Sequence, residues 1–246
     1  MKIYCTRNEL NRSINNVSHS IPTRTPSPIL EGILIETKGD RMYLTATDTN
    51  MTIESNIPVD SEGDVSFVIE EKNFANIVNK LPEEEVLMDY NHEKNQIKIN
   101  SGKSSSTFNC FSADEFPRFN IGEGQKIILS KKDIKNLIRK TSFSASADEL
   151  NGVLTGILIE LGDGNLRMVA VDTFRMAIYN AKVDTDEKLS IVVPAKLLGE
   201  VSKIISDDDN DEQLFMEIVD NKVVMLFDNN RVILNTLNGK YIDYNR

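Results

Sequence analysis

Leu10, Ile14 and Val17 recur at helical spacing behind Thr6-Arg7-Asn8-Glu9, which sets a hydroxyl at a helix start and a carboxylate three residues on. The pattern predicts an amphipathic helix over Arg7–Ser18. The layout returns 124 residues later, where Ser130-Lys131-Lys132-Asp133 precedes Ile134, Leu137 and Ile138. Each helix ends in Ser-x-Ser, at Ser18/Ser20 and Ser142/Ser144. Next come Leu30-Glu31-Gly32-Ile33-Leu34-Ile35-Glu36 and Leu154-Thr155-Gly156-Ile157-Leu158-Ile159-Glu160, which agree at six of seven positions. Both read as alternating strands, with Ile33 and Ile35 on one face of the first.

The match continues through hairpin turns at Lys38-Gly39-Asp40 and Gly162-Asp163-Gly164 into return strands at 42–47 and 166–171. Ala46/Ala170, Asp48/Asp172 and Thr49/Thr173 correspond, and a one-residue insertion is expected to align Met51 with Met176. Strands at 65–69 and 189–193 each run into a second helix. Its stripe is Phe74, Ile77, Val78 and Leu81 in one copy, and Leu197, Leu198, Val201 and Ile204 in the other. Pro194 is expected in the first turn of the latter helix. Acidic links at 83–85 and 207–212 lead to the last strands, and the copies close with Phe116-Pro117-Arg118-Phe119 and Tyr241-Ile242-Asp243-Tyr244.

A collinear repeat of this length exceeds the roughly 20–50 residues of a solenoid unit. The expected fold is α+β, two tandem copies of one domain with two helices packed on antiparallel sheets. The expected limits are 1–121 and 126–246, joined by the polar linker Gly122-Glu123-Gly124-Gln125.

Charge adds a second layer. The four predicted helices net +1, 0, +4 and +1, so the rest of a chain of net charge −10 carries −16. Two readings stand for the basic helix with Lys131, Lys132, Lys135, Arg139 and Lys140. It is either the solvated side of a surface helix, or part of a positive surface that attracts phosphates without reading sequence.

Enzyme chemistry finds little support. His19 and His92 form no H-E-x-x-H pair, Cys5 and Cys110 no C-x-x-C pair, and neither G-x-S-x-G nor a complete phosphate loop occurs. The Gly-Lys-Ser at 102–104 lacks the upstream glycine and reads as a turn. Asp48 and Asp172 end strands before turns, where side-chain-to-backbone hydrogen bonding is the ordinary role. No catalytic residue, metal or cofactor is expected. The start lacks a basic-then-apolar leader and no apolar run nears the roughly 18 residues of a membrane span, so a cytoplasmic protein with reduced thiols and no membrane partner is expected.

The chain resembles the beta subunit of bacterial DNA polymerase III, the sliding clamp, along its whole length. The resemblance is carried by Met1-Lys2-Ile3, Arg24, Pro28-Ile29-Leu30, Leu44-Thr45-Ala46-Thr47-Asp48, Leu81-Pro82, Phe116-Pro117 and Leu150-Asn151-Gly152. Further on it rests on Leu166-Arg167-Met168-Val169-Ala170-Val171-Asp172, Arg175-Met176-Ala177, Val193-Pro194-Ala195-Lys196, Gly239-Lys240 and Asp243-Tyr244. It implies a non-catalytic segment of a ring, helices inside and sheets outside, that encircles duplex DNA. Implied partners are the polymerase III catalytic subunit, the clamp loader and repair proteins bearing short clamp-binding peptides.

DNA contacts carry over to Arg24, Lys72, Lys131, Lys135, Arg139, Lys196 and Lys203. One wall of the peptide pocket carries over to Leu150, Val171, Thr173, Phe174, Arg175, Met176, Ile242 and Arg246. Thr173 and Phe174 stand where the family usually has a small residue and a histidine, and Ile242 replaces a usual proline. Ordinary core packing is the alternative reading for Leu150 and Met176. Bacterial clamp chains carry three domains, and two chains close a six-domain ring. The absent third domain leaves two expectations, a truncated chain or a short homologue that self-associates as a trimer of two-domain chains. The rival class is an acidic interaction scaffold that never meets nucleic acid.

Overall fold

The computed structural model describes residues 1–119, 121–122, 124–185, 187–206 and 213–244. Two compact units divide the chain, Met1–Asn120 with Asn229–Arg231, and Ile121–Asp228 with Val232–Arg246. The expected acidic link at 207–212 and Glu123 of the expected linker lie outside the described residues.

The first copy runs β1 (Lys2–Thr6), α1 (Arg7–Ser18), β2 (Gly32–Lys38), β3 (Arg41–Thr47), β4 (Met51–Pro58) and β5 (Asp60–Ser61). It continues with β6 (Ser66–Glu70), α2 (Glu71–Val78), β7 (Glu85–Asn91), β8 (Gln96–Ser101) and β9 (Ser104–Ser112). Its strands lie in the antiparallel order β4-β3-β2-β6-β9-β8-β7-β1-β5.

The second copy runs β10 (Gln125–Ser130), α3 (Lys131–Thr141), β11 (Gly156–Gly162), β12 (Asn165–Val171), β13 (Met176–Lys182) and β14 (Leu189–Pro194). It ends with α4 (Ala195–Ile204), β15 (Gln213–Val219), β16 (Lys222–Phe227) and β17 (Asn230–Asn235). Its strand orders are β13-β12-β11-β14 and β10-β15-β16-β17, joined by one bridge, Val192 to Leu237. The equivalent pair in the first copy is Val68 with Phe111. None of the described helices is long and apolar enough to cross a membrane.

Local chemistry explains the helix starts. Thr6 Oγ1 accepts from the Glu9 N–H at 3.3 Å and donates to the Glu9 carboxylate at 2.7 Å. Ser130 Oγ accepts from the Asp133 N–H at 3.0 Å. Each bond satisfies a donor that the first helical turn leaves open. α4 lacks such a cap. Pro194 ends β14 opposite Gly156 rather than entering the helix, because its ψ of 126° keeps it extended. Leu10, Ile14 and Val17 of α1 are buried where it rests on β3 and β4, as are Ile134, Leu137 and Ile138 of α3 on β12 and β13. α2 lies beside α1, and α4 beside α3.

The repeated strand differs from a simple alternating one. Gly32, Ile33, Leu34 and Ile35 are all buried, as are Gly156 to Ile159. A second layer covers the face away from the helices. Leu34 and Val68 pack with Ala113, Phe116 and Ile29 in the first copy, and Leu158 and Val192 with Tyr241, Leu237, Val153 and Leu154 in the second. The closing segments are therefore part of the core, which requires apolar residues on both strand faces.

The expected insertion before Met176 is also corrected. Thr47 pairs with Thr52 and Ala46 with Ile53, while Val171 pairs with Met176 and Ala170 with Ala177. Asp48 N–H donates to Met51 O at 3.1 Å, and Asp172 N–H to Arg175 O at 3.0 Å. Backbone pairing thus keeps the 124 spacing unbroken. Phe174 replaces Asn50, and Arg175 replaces Met51. The Met51/Met176 match is a coincidence of residue type.

Candidate nucleic-acid interface and partner pocket

The cations of α3 divide by what they reach. Lys132 and Arg139 are exposed, and Arg139 donates to Asn136 Oδ1 at 3.1 Å. Lys140 is exposed with its Nζ 4.1 Å above the Tyr179 ring, a cation–π contact. Lys131 is only 4% exposed and ion-pairs with Asp228, so it is a structural cation rather than part of an open face. Lys135 is half-buried and donates from Nζ to Ile205 O at 3.0 Å. That carbonyl lies at the end of α4, where main-chain acceptors lack helical partners. The first copy solves the same problem differently: Arg7 donates to Leu81 O at 2.9 Å, and Leu81 is 124 residues before Ile205.

Lys196 and Lys203 are exposed on α4, and Lys203 pairs with Glu200 at 2.8 Å. Lys132, Lys135 and Arg139 fall at i, i+3 and i+7 on α3, and Lys196, Gly199 and Lys203 repeat that spacing on α4, so each set shares a helix face. Arg24 and Lys72 are exposed in the first unit, on the loop after α1 and the first turn of α2. Sequence reasoning counted Lys132 and Lys140 in the helix charge without assigning them a site.

Of the residues expected in a peptide pocket, Val171, Thr173, Phe174, Arg175 and Met176 lie on or beside the turn between β12 and β13, whereas Leu150 lies in the segment before β11 and Ile242 in the closing segment. Asp172 organises the turn: Oδ1 accepts from Phe174 N–H at 2.8 Å and Arg175 N–H at 2.9 Å, and Oδ2 accepts from Arg175 Nε at 3.0 Å. Asp48 does the same for Asn50 and Met51 at 2.9 and 2.7 Å. Both aspartates thus take the turn-holding role expected of them. The Phe174 N–H, supported by the Arg175 N–H and guanidinium, holds the Asp172 carboxyl below its ordinary pKa.

A folded-state pKa below the unfolded one gives stabilisation that is full above the unfolded value and lost as pH falls through the folded value. Hydrogen-exchange protection of the Phe174 and Arg175 amides should hold from neutral pH down to the ordinary aspartate range and then fall. Protection that persists into strongly acid solution would show that the carboxylate does not hold the turn.

This turn presents Phe174 at 95% exposure, with Thr173 and Arg175 also exposed. Leu150 is 93% exposed and Met176 50%, so neither is core. Val171 is the opposite case: at 8% exposure it packs with Leu158, Val169, Val192 and Tyr241 beneath the turn. The Arg175 guanidinium lies 5.8 Å from the ring of exposed Phe143, and Ile178 is exposed two residues beyond Met176 on the same strand face. Sequence reasoning missed Phe143 and Ile178; their signal was period-two spacing on β13 and an aromatic just past the end of α3. Ile242 is exposed on the closing segment, and Arg246 lies outside the described residues.

Ile242 also lines a cavity of about 450 Å³ between β14 residues Ser190, Ile191 and Val192 and the segment 236–244. Tyr244 anchors that segment, donating to the Glu160 carboxylate and accepting from Arg167 Nη1 at 3.2 Å. In the first copy Arg118 of the closing segment pairs with Glu36 at 3.0 Å. The glutamate that ends the repeated strand motif thus tethers the closing segment in both copies. Burial raises the Tyr244 hydroxyl's pKa, so it stays a donor at neutral pH. Cys5 and Cys110 are free thiols pushed up to about 12, chiefly by burial.

Residues 1–120 match the family described as DNA polymerase III beta subunit, N-terminal domain, and residues 128–243 match the central domain of the same subunit. The beta sliding clamp of Halalkalibacterium halodurans is 35% identical over 244 residues, covering 94% of this chain and 63% of that relative. The beta sliding clamp of Bacillus subtilis is 34% identical over 255 residues, covering 99% and 66%. Among solved structures, the DNA polymerase sliding clamp from Bacillus subtilis superposes with a TM-score of 0.94 at 33% identity, covering 99% of this chain and 66% of the other. The beta subunit from the DNA polymerase of Streptococcus pyogenes gives 0.92 at 26%, covering 100% and 67%. The chain spans about two thirds of the length of these relatives.

Proposed function

Because the chain belongs to the beta sliding-clamp family of bacterial DNA polymerase III, we propose that it serves as a non-catalytic processivity factor within a ring around duplex DNA. In this reading it tethers the polymerase III catalytic subunit in the cytoplasm and is opened by a clamp loader. Repair proteins dock on it through short peptides. The observation that carries the reading is the set of solvent-facing cations on α3 and α4 of a chain whose net charge is −10. Phosphate contacts of that kind attract a duplex without reading its sequence, and such sequence-independent attraction lets a protein slide along DNA.

The proposed contacts are Arg24, Lys72, Arg139, Lys196 and Lys203, joined by Lys132. Lys131 is left out because it is buried against Asp228, and Lys135 because it is half-buried and caps the end of α4, whereas Lys203 stays exposed beside Glu200. The proposed peptide wall is Leu150, Thr173, Phe174, Arg175, Met176 and Ile242, with Val171 as its floor.

The test is duplex-DNA binding at low salt. Arg139→Glu combined with Lys196→Glu should weaken binding by about tenfold or more, since two cations that neutralise phosphates become two anions that repel them. Affinity equal to wild type would remove the helix face from the reading, and a wild type that does not bind at all would favour the acidic scaffold. Sedimentation separates the modes of closure: three times 27.7 kDa marks a trimeric ring of two-domain chains.

A further inference from the structure

The unbroken 124 spacing allows the first helix of each copy to be compared position by position. On α1 the solvent face carries Asn8, Asn11 and Asn15; on α3 the same positions are Lys132, Lys135 and Arg139. Exposure agrees pairwise: Asn8 and Lys132 are exposed, Asn11 and Lys135 half-buried, Asn15 and Arg139 exposed. The fourth position of the face reverses, with Arg12 opposite Asn136. At three of the four positions of this face, side-chain amides in one copy therefore stand where the other has cations, and Arg12 is the exception. Packing does not explain the difference, because Leu10, Ser13, Ile14 and Val17 and their partners Ile134, Leu137, Ile138 and Thr141 are buried on both helices.

The two faces meet a phosphate backbone in physically different ways. A lysine or arginine at a phosphate releases a condensed counterion, so its contribution falls with salt. An asparagine amide can donate to a phosphate oxygen at short range but displaces no counterion. We propose that the two copies divide the grip on DNA. The cations Lys132 and Arg139 of α3 supply the long-range, salt-dependent attraction, and the amides Asn8 and Asn15 of α1, on a face whose one cation is Arg12, supply short-range contacts that salt does not screen. This inference rests on the sliding-clamp reading and deepens it, since it assigns different work to two helices that the family fold treats as equivalents. It also assigns Lys132 and the asparagines Asn8 and Asn15 to the DNA surface. Lys135 keeps its charge but is left out of the variants, because its ammonium also ties α3 to Ile205 O and its loss would disturb the fold.

The experiment measures binding of the 246-residue chain to a short fluorescent duplex across a salt series and plots log K against log salt concentration. Lys132→Gln with Arg139→Gln should flatten the slope by about 1.8, at about 0.9 for each phosphate no longer neutralised. Asn8→Ala with Asn15→Ala should lower affinity at every salt concentration while leaving the slope unchanged. Asn8→Lys with Asn15→Lys should steepen it by about 1.8. All four side chains are exposed, and thermal melting of each variant confirms that it folds.

The division of labour is overturned if the alanine pair flattens the slope as the glutamine pair does, or leaves affinity unaltered. It is overturned equally if the glutamine pair leaves the slope unchanged. Those outcomes leave the clamp reading standing. Absence of wild-type binding at low salt would overturn both.

Discussion

Lys131→Ala should lower the free energy of unfolding by about 3 kcal/mol, while Lys132→Ala next to it should change it by no more than about 0.5 kcal/mol. The two lysines are neighbours in the chain and belong to one basic run, so charge counting treats them alike. Their surroundings do not. The Lys131 side chain is 5% exposed and its ammonium meets Asp228, whose side chain is 20% exposed. Removing the lysine takes away the partner of a partly buried carboxylate and empties a buried site, and breaking a buried pair costs about 3–5 kcal/mol in general. Asp228 keeps some contact with water, so the low end applies. Urea denaturation of the single variants measures the difference. The double change Lys131→Met, Asp228→Asn should recover most of the loss, because no unpaired charge remains. If Lys131→Ala behaves like Lys132→Ala, the ion pair is not holding α3 to the β16–β17 turn.

Tyr241→Ala and Phe116→Ala should each cost about 3–5 kcal/mol, the usual range for deleting a buried aromatic ring. Phe116 lies over Leu34 and Val68, and Tyr241 over Leu158 and Val192, as the outer layers of equivalent strands. Tyr241 adds hydroxyl contacts to Gly156 O and Val169 O, both at 3.4 Å. The functional consequences should diverge. Ile242 follows Tyr241 directly, so Tyr241→Ala should also weaken binding of a short apolar clamp-binding peptide, measured well below the melting temperature. Phe116→Ala should leave peptide binding at the wild-type level. Equal peptide affinity for both variants would separate Ile242 from the pocket.

The duplication and helices α1 to α4 were legible in the sequence because they depend on periodic apolar spacing and, for α1 and α3, on local capping groups. Arg7–Ser18 is predicted to the residue, since Thr6 and Glu9 mark its start chemically. Features that depend on distant contacts were not legible. Leu34 and Leu158 read as the outward side of an alternating strand because the residues that cover them, Phe116 and Tyr241, come about 80 positions later. Lys131 and Lys135 read as surface charge because no local pattern shows that Asp228 or the Ile205 carbonyl lies within reach. The supposed insertion arose from matching methionine to methionine, whereas hydrogen bonding shows that Met51 corresponds to Arg175. That exchange is informative for the site. A buried methionine in one turn has become an arginine stacked near Phe143 in the other, so the second turn opens a surface that the first keeps closed.

The spacing of 124 that holds from β10 through α4 makes the two copies interchangeable in length. Three strands and two hairpins, 156–182, align with 32–58 with no residue added or removed, and the hairpin ladders within one copy have the same register as those of the other. Over this stretch the copies have diverged by substitution alone. The chain behaves as two castings from one mould, in which new surfaces were obtained by changing side chains while the backbone frame stayed as it was.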